Sequence, residues 1–143
     1  MKKKLNCLLL IDDDTATNYL NTKIVKQVDC ADYIKVATSG QQALDYLSNS
    51  GTYAVNGDVY PRPDLIFLDL NMPMINGVQC LRELKKDPEL RSVPVVIYTS
   101  SKSYDERAET LKLGANYFIT KPPSFRQICK VVSDILAREI NQN

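Results

Sequence analysis

Short apolar runs alternate with longer amphipathic segments along the whole chain. The apolar runs predict five strands, over Leu5–Ile11, Tyr33–Ala37, Leu65–Leu70, Pro94–Thr99 and Asn116–Thr120. Between them, apolar positions recur every three or four residues, which predicts five helices. Strict alternation of strands and helices is typical of a parallel sheet that is covered on both faces. We therefore predict an α/β fold with a doubly wound five-stranded parallel sheet, in one domain spanning residues 1–143.

The predicted helices begin at residues that favour helix starts. Ser39 is expected to cap the second helix, and capping-box patterns begin at Ser103 and Ser124. The first helix is predicted over about Thr15–Val28 and the third over about Gly77–Lys86. Their inner faces are predicted from the helical period. They comprise Leu20, Ile24 and Val28 in the first helix, and Ile128, Val131, Val132, Ile135 and Leu136 in the last.

Residues 49–63 contain glycine, proline and asparagine and show no helical or strand period. The pattern predicts a loop that is longer than most helix-to-strand connections. We interpret it as a tolerated surface insertion, with a partner-contacting loop as the alternative.

Composition excludes several classes of function. The chain has 143 residues and a net charge of +1, which gives no electrostatic argument for a nucleic-acid partner. It contains no histidine, so Ser-His-Asp catalysis, Cys-His catalysis and histidine-ligated metals are excluded.

The apolar start of the chain is too short and too polar for a membrane segment. Leu5–Ile11 is interrupted by Asn6 and runs directly into aspartates. No other segment has the length of a membrane span, so we predict a cytoplasmic protein with no membrane partner. The four cysteines show no paired spacing, which favours reduced, buried thiols over a zinc site.

Polar side chains follow four of the five predicted strands. Asp12 and Asp13 follow the first strand, Asp69 lies at the end of the third, Thr99 ends the fourth, and Lys121 follows the fifth. Ligands of open parallel sheets bind beyond the carboxyl ends of the strands. Three carboxylates there would suit Mg²⁺ and leave one aspartate free to accept a phosphoryl group, with the hydroxyl and ammonium groups stabilising its oxygens.

This set of residues resembles the receiver domain of two-component response regulators. The matching motifs are Asp12–Asp14, Asp69–Pro73 with Gly77 after it, Thr99–Ser100 and Lys121–Pro122. The resemblance covers the chain from residue 7 to about residue 138. It implies a flavodoxin-like sheet with strand order 2-1-3-4-5.

The resemblance also implies a role for each site residue. Asp69 would be the phosphoacceptor, with Lys121 and Thr99 contacting the bound phosphoryl group. Mg²⁺ would be held by Asp13 directly and by Asp12 mainly through water. Asp69 and the main-chain carbonyl of Asn71 would complete the metal site.

The function that follows is a phosphorylation switch in a two-component phosphorelay. The phosphoryl group would come from a phosphohistidine on a sensor histidine kinase or a histidine phosphotransfer protein, and an output protein would respond. We expect no enzymatic activity beyond self-phosphorylation from a donor and slow self-dephosphorylation. The resemblance implies that Thr99 and Phe118 are the switch residues, and Phe118 has no hydroxyl with which to form a hydrogen-bonded latch.

Three alternatives compete with this interpretation. A haloacid-dehalogenase-like phosphatase would use Asp12 as its nucleophile, although no later acidic metal motif accompanies it. A flavodoxin-like electron carrier would need a phosphate-binding first loop, which three aspartates oppose. A degenerate receiver that serves only as a binding module is disfavoured because the whole set of site residues is present.

Overall fold

The computed structural model describes residues 4–50, 52–53, 59–121 and 124–141. The strands are β1 (Leu5–Ile11), β2 (Ala31–Ala37), β3 (Thr52–Tyr53), β4 (Val59–Tyr60), β5 (Leu65–Leu68), β6 (Val95–Thr99) and β7 (Tyr117–Thr120). The helices are α1 (Thr15–Val28), α2 (Gly40–Asn49), α3 (Gly77–Lys86), α4 (Tyr104–Lys112) and α5 (Phe125–Asn141).

Five of these strands form one parallel sheet with the order β2-β1-β5-β6-β7. Counted along the sheet's own strands, this is the predicted order 2-1-3-4-5, so the fold prediction is confirmed. The inner strands β5 and β6 are buried along their whole length, because helices cover both faces of the sheet. Strand order reverses between β1 and β5, which places the ends of these two strands beside each other.

Two apolar clusters lie on opposite faces of the sheet. On one face, α2 and α3 pack through residues that include Ala43, Leu47 and Leu81. On the other, α1 and α5 pack through residues that include Val25 and Ile128. The predicted inner face of α5 is confirmed, with Leu136 partly buried at its edge.

The predicted helix caps are largely confirmed. The hydroxyls of Ser39, Ser103 and Ser124 each accept a hydrogen bond from a main-chain N–H of the first turn. The capping box at Ser124 is complete, because Gln127 accepts the N–H of Ser124 at 2.8 Å. At Ser103 the box is only half formed, since the N–H of Ser103 donates to the Ser101 hydroxyl instead.

The predicted inner face of α1 is wrong at Leu20. This side chain is 59% exposed, whereas Asn18 and Asn21 are buried together with Val25. Ile24 and Val28, which share the predicted stripe, are only partly buried. Asn18 donates a hydrogen bond to the Asp12 carbonyl, and Asn21 accepts one from the Tyr98 hydroxyl. These two bonds fix how the helix is rotated, so polar side chains point inward where the apolar period predicted Leu20.

The prediction of a loop over residues 49–63 is also wrong in part. Asn49 ends α2, and β3 pairs antiparallel with β4 in a separate two-stranded sheet. The ring of Tyr60 packs edge-on against Tyr46 at 5.6 Å, and the Tyr46 hydroxyl donates to the Pro61 carbonyl. β-Branched and aromatic residues favour strands, but two-residue strands are too short to show a period. Residues 51 and 54–58 lie outside the described part of the chain.

All four cysteines are reduced, as predicted. Cys7, Cys30 and Cys80 are buried, but Cys129 is partly exposed, so the prediction of burial is wrong for Cys129. Within the described ranges, no helix combines the length and apolarity that a bilayer crossing requires.

Candidate functional site

The main chains of β1 and β5 bring two aspartates together just beyond the sheet. The N–H of Asp69 donates to the Ile11 carbonyl at 2.9 Å, and the N–H of Asp12 donates to the Ala37 carbonyl at 3.1 Å. The parallel ladder therefore continues one residue past each strand. This extension fixes Asp12 and Asp69 side by side at the carboxyl edge, where the sequence predicted the site.

Asp12, Asp13 and Asp69 form a compact group of carboxylates. One oxygen from each lies within 4.8 Å of the other two. Asp12 and Asp69 are 2% and 3% exposed, whereas Asp13 is open to solvent. Oxygen donors at this spacing, with one side accessible to water, fit a hard divalent cation such as Mg²⁺. The predicted residues are therefore brought together.

Lys121 supplies the compensating positive charge. Its ammonium nitrogen lies 2.5 Å from Asp12 Oδ2 and 3.4 Å from Asp69 Oδ1. The main chain sets this position, because the N–H of Lys121 donates to the Thr99 carbonyl at 2.8 Å. Burial alone would lower the pKa of Lys121, but its ion pairs with Asp12 and Asp69 raise the pKa above its usual value.

The electrostatics of Asp69 differ from those of an ordinary surface aspartate. Burial raises its pKa, and the neighbouring charge of Asp12 raises it further. Lys121 and the main-chain N–H of Asn71 act in the opposite direction. The site therefore disfavours the ionised form of Asp69, and the positive charge of a bound cation would offset this effect.

Thr99 completes the described site on the side of β6. Its hydroxyl lies 3.4 Å from the amide nitrogen of Asn71 and accepts a hydrogen bond from the N–H of Ser101 at 3.3 Å. Thr99 is fully buried, whereas the side chain of Asn71 is exposed. The predicted metal contact of the Asn71 carbonyl stays a prediction.

The loop between Asp69 and α3 is closed against the end of β5 by Gly77. The N–H of Gly77 donates to the Leu70 carbonyl at 3.0 Å, and a Cβ at this position would lie 2.2 Å from the Asp69 carbonyl oxygen. Asn76 caps α3 in a capping box with Gln79, which was not predicted. Within the loop, Met74 is 96% exposed and has a φ of 68°, an unfavourable conformation for this residue.

Phe118 lies on β7, away from the carboxylates, and is partly buried. The guanidinium carbon of Arg107 is 5.9 Å from the centre of its ring. Both residues line a groove between α4 and β7, whose other lining residues are Lys102, Ser103, Tyr104 and Thr120. Arg107 thus lies within the range of a cation–π interaction with the Phe118 ring.

Asn18, Asn21 and Tyr98 were not predicted as site residues, yet their contacts lead to Asp12 and Lys121. The amide of Asn18 donates to the Asp12 carbonyl at 2.8 Å. The hydroxyl of Tyr98 donates to Asn21 Oδ1 at 3.2 Å, and its ring faces the ammonium of Lys121 at 5.3 Å. Two asparagines three residues apart, on a helix that must bury one face, are the only signal that the sequence offers for them.

Replacing the buried carboxylate with a neutral amide is expected to stabilise the metal-free protein. Asp69→Asn should raise the free energy of unfolding by about 1 kcal/mol at neutral pH, since it removes a charge that burial and Asp12 oppose. Some carboxyl groups have a higher pKa in the folded state than in the unfolded state. Such a group stabilises the folded protein at low pH, and this contribution is lost as the pH rises through the folded-state pKa. The increase in the free energy of unfolding caused by Asp69→Asn should therefore become smaller as pH falls towards about 4.

Thermal unfolding in chelator at several pH values measures this effect. Asp32→Asn, which neutralises an exposed aspartate on β2, is the matched control and should change little. An Asp69→Asn variant that is less stable than the wild type at neutral pH would contradict this account of the site.

The chain is similar to response regulators in both sequence and structure. Residues 8–133 match the model of the response regulator receiver domain. Response regulator Rcp1 of Synechocystis sp. is 31% identical over 128 residues, which cover 90% of this chain and 84% of Rcp1.

Two solved structures show the same likeness. The phosphorylated cyanobacterial phytochrome response regulator RcpA has a TM-score of 0.73 at 32% identity, covering 91% of this chain and 90% of RcpA. The Mn²⁺-bound form of Rcp1 has a TM-score of 0.71 at 30% identity, covering 91% of each chain.

These findings do not support the alternative of a haloacid-dehalogenase-like phosphatase. That reaction would need Asp12 as the nucleophile, but both of its carboxylate oxygens are engaged. Oδ1 accepts the N–H of Asp14 at 2.9 Å, and Oδ2 pairs with Lys121. The matched family is a different one.

Proposed function

We propose that Asp69 is the residue that accepts the phosphoryl group. The chain belongs to the response regulator receiver domain family and is thus a phosphoacceptor switch of two-component signalling. One observation carries the assignment. Asp69 lies in the carboxylate group with one oxygen 3.4 Å from Lys121. In contrast to Asp12, which forms the shorter 2.5 Å pair with Lys121, it is the less tightly held of the two buried carboxylates.

Receiver domains bind Mg²⁺ or Mn²⁺ at this acidic pocket, and the donor set here suits either ion. We propose that Asp12, Asp13, Asp69 and the main-chain carbonyl of Asn71 hold the ion. When bound, it supplies positive charge that offsets the carboxylates and the phosphoryl oxygens.

The side chains of this chain then perform the transfer. An oxygen of Asp69 attacks phosphorus, and the P–N bond of the donor phosphohistidine breaks with its electron pair returning to the imidazole nitrogen. Lys121 would pair with one phosphoryl oxygen, and the Thr99 hydroxyl would donate to another. Because none of the 143 residues is a histidine, the donor group lies outside this sequence, and we propose a phosphohistidine of a sensor histidine kinase or of a histidine phosphotransfer protein.

The output is proposed to pass through the groove between α4 and β7. Thr99 would move towards the phosphoryl group, and Phe118 on the adjacent strand would repack against Arg107. The bound phosphate thereby changes the affinity of this face for an output protein, which requires contacts that differ between the two states. The chain acts in this scheme as a regulator, with no substrate turnover beyond its own phosphorylation and dephosphorylation.

Intact-mass analysis after incubation with acetyl phosphate tests the assignment. The wild type is expected to gain one phosphoryl group in the presence of Mg²⁺ and none in chelator, and Asp69→Asn should gain none. Asp14→Asn is the matched control: it changes the same acidic segment, but asparagine retains the cap of α1. A gain that persists in Asp69→Asn would reject Asp69 as the acceptor.

A further inference from the structure

The inner face of α1 is polar where it approaches the site. Asn18 and Asn21 are both buried; Asn18 forms a hydrogen bond to Asp12, which directly follows β1, and Asn21 forms one to Tyr98 on β6. Buried amides cost free energy unless they are paired, so an apolar face would have been the simpler way to pack this helix. The pairs tie α1 to Asp12 at the end of β1 and to Tyr98 on β6.

Tyr98 stands between that helix and Lys121. It is 3% exposed and directly precedes Thr99, so the two side chains point to opposite faces of β6. Its ring packs against Phe67 with the ring centres 6.2 Å apart, and its hydroxyl is bound to Asn21. The packing and the hydrogen bond together restrain the orientation of the Tyr98 ring.

Among the described residues, the ring of Tyr98 is one of three groups around the Lys121 ammonium. The other two are the carboxylates of Asp12 and Asp69, at 2.5 and 3.4 Å. At 5.3 Å from the ring centre, the ammonium is within range of a cation–π interaction, which is strengthened where water is excluded. A lysine side chain has several rotatable bonds, so a fixed wall on one side restricts where its charge can lie.

We propose that Tyr98 is a positioning residue for Lys121: its ring, anchored by the hydrogen bond to Asn21, keeps the ammonium directed at Asp12 and Asp69. This inference rests on the proposed function, in which that ammonium pairs with a phosphoryl oxygen on Asp69. Through Asn21 and Tyr98, the packing of α1 against the sheet is thereby connected to the Lys121 ammonium that pairs with the transferred phosphoryl group.

Rates of phosphorylation by acetyl phosphate at saturating Mg²⁺ test the proposal. Tyr98→Leu removes the ring and is expected to lower the rate constant roughly tenfold. Tyr98→Phe keeps the ring without its anchor and should restore the rate to within about threefold of the wild type. Val25→Ala opens a cavity in the same apolar cluster without touching Lys121, so it controls for loss of packing and should leave the rate unchanged. A Tyr98→Leu rate equal to that of the wild type would overturn the proposal, as would an equal loss in Val25→Ala.

A second measurement does not depend on phosphorylation. In lysine-labelled protein, the NMR signals of the Lys121 Cε group should be shifted upfield by the Tyr98 ring, with Lys121→Arg used to assign them. The shift should disappear in Tyr98→Leu and remain in Tyr98→Phe; a shift that persists in Tyr98→Leu overturns the inference. If the wild type shows the shift but Asp69 is not phosphorylated, the proposed function fails while the positioning of Lys121 stands.

Discussion

Gly77→Ala is expected to destabilise the protein by about 2–3 kcal/mol and to weaken both Mg²⁺ binding and phosphorylation. The added Cβ would lie 2.2 Å from the Asp69 carbonyl oxygen and 2.6 Å from the Leu70 Cα. These atoms belong to the main chain, so rotation of a side chain cannot relieve the contact. The start of α3 and the end of β5 would have to separate, and Asp69 would move away from Asp12 and Asp13.

The matched control for this effect is Gly114→Ala. Gly114 has a φ of 113°, so alanine is strained there, but the nearest atoms to its Cβ would be those of the Lys85 side chain, at 3.2 Å and beyond. This variant should lose stability while retaining wild-type Mg²⁺ affinity and phosphorylation rate. Calorimetric Mg²⁺ titration and thermal unfolding of both variants measure the two effects separately. Wild-type Mg²⁺ affinity in Gly77→Ala would show that the close contact does not position Asp69.

Lys121→Met is expected to cost about 2–4 kcal/mol of stability in the metal-free protein at neutral pH. The variant leaves Asp12 and Asp69 buried beside each other without the ammonium that pairs with both. Methionine fills a volume similar to that of the lysine stem, so lost packing contributes little. Most of the cost is therefore the repulsion and the desolvation of two carboxylates.

Two conditions should reduce this loss. Lys121 lowers the pKa of Asp69, which burial already raises, so its removal raises that pKa further. The destabilisation should thus be largest at neutral pH and smaller as pH falls and Asp69 takes up a proton. Mg²⁺ should stabilise Lys121→Met more than it stabilises the wild type, because the ion supplies the missing positive charge.

Thermal unfolding with chelator and with Mg²⁺, at neutral and acidic pH, measures these differences. Lys86→Met removes the same charge from an exposed pair with Glu83 and should change stability little under every condition. Equal losses with and without Mg²⁺ would contradict the view that the ammonium and the metal ion compensate the same charges.

The carboxylate group shows how far local sequence predicts a site. An apolar strand that ends in aspartate occurs twice, and parallel strands place such ends at one edge, so Asp12, Asp13 and Asp69 could be grouped without coordinates. The sequence did not indicate which of the three would be buried. That difference depends on the Lys121 side chain and on the main chain of Asp14, which lie over Asp12 and leave Asp13 open.

Sequence alone determined the alternation of strands and helices, the ends of most elements and the set of side chains at the site. These features repeat with the short periods of strands and helices, or follow from the residues next to each helix end, so they are encoded locally. Only the tertiary structure decided that Leu20 faces solvent while Asn21 is buried, and that Tyr98 lies against Lys121. Asn21 and Tyr98 are 77 residues apart, and the rotation of a helix about its own axis depends on such distant partners, which a local pattern does not encode.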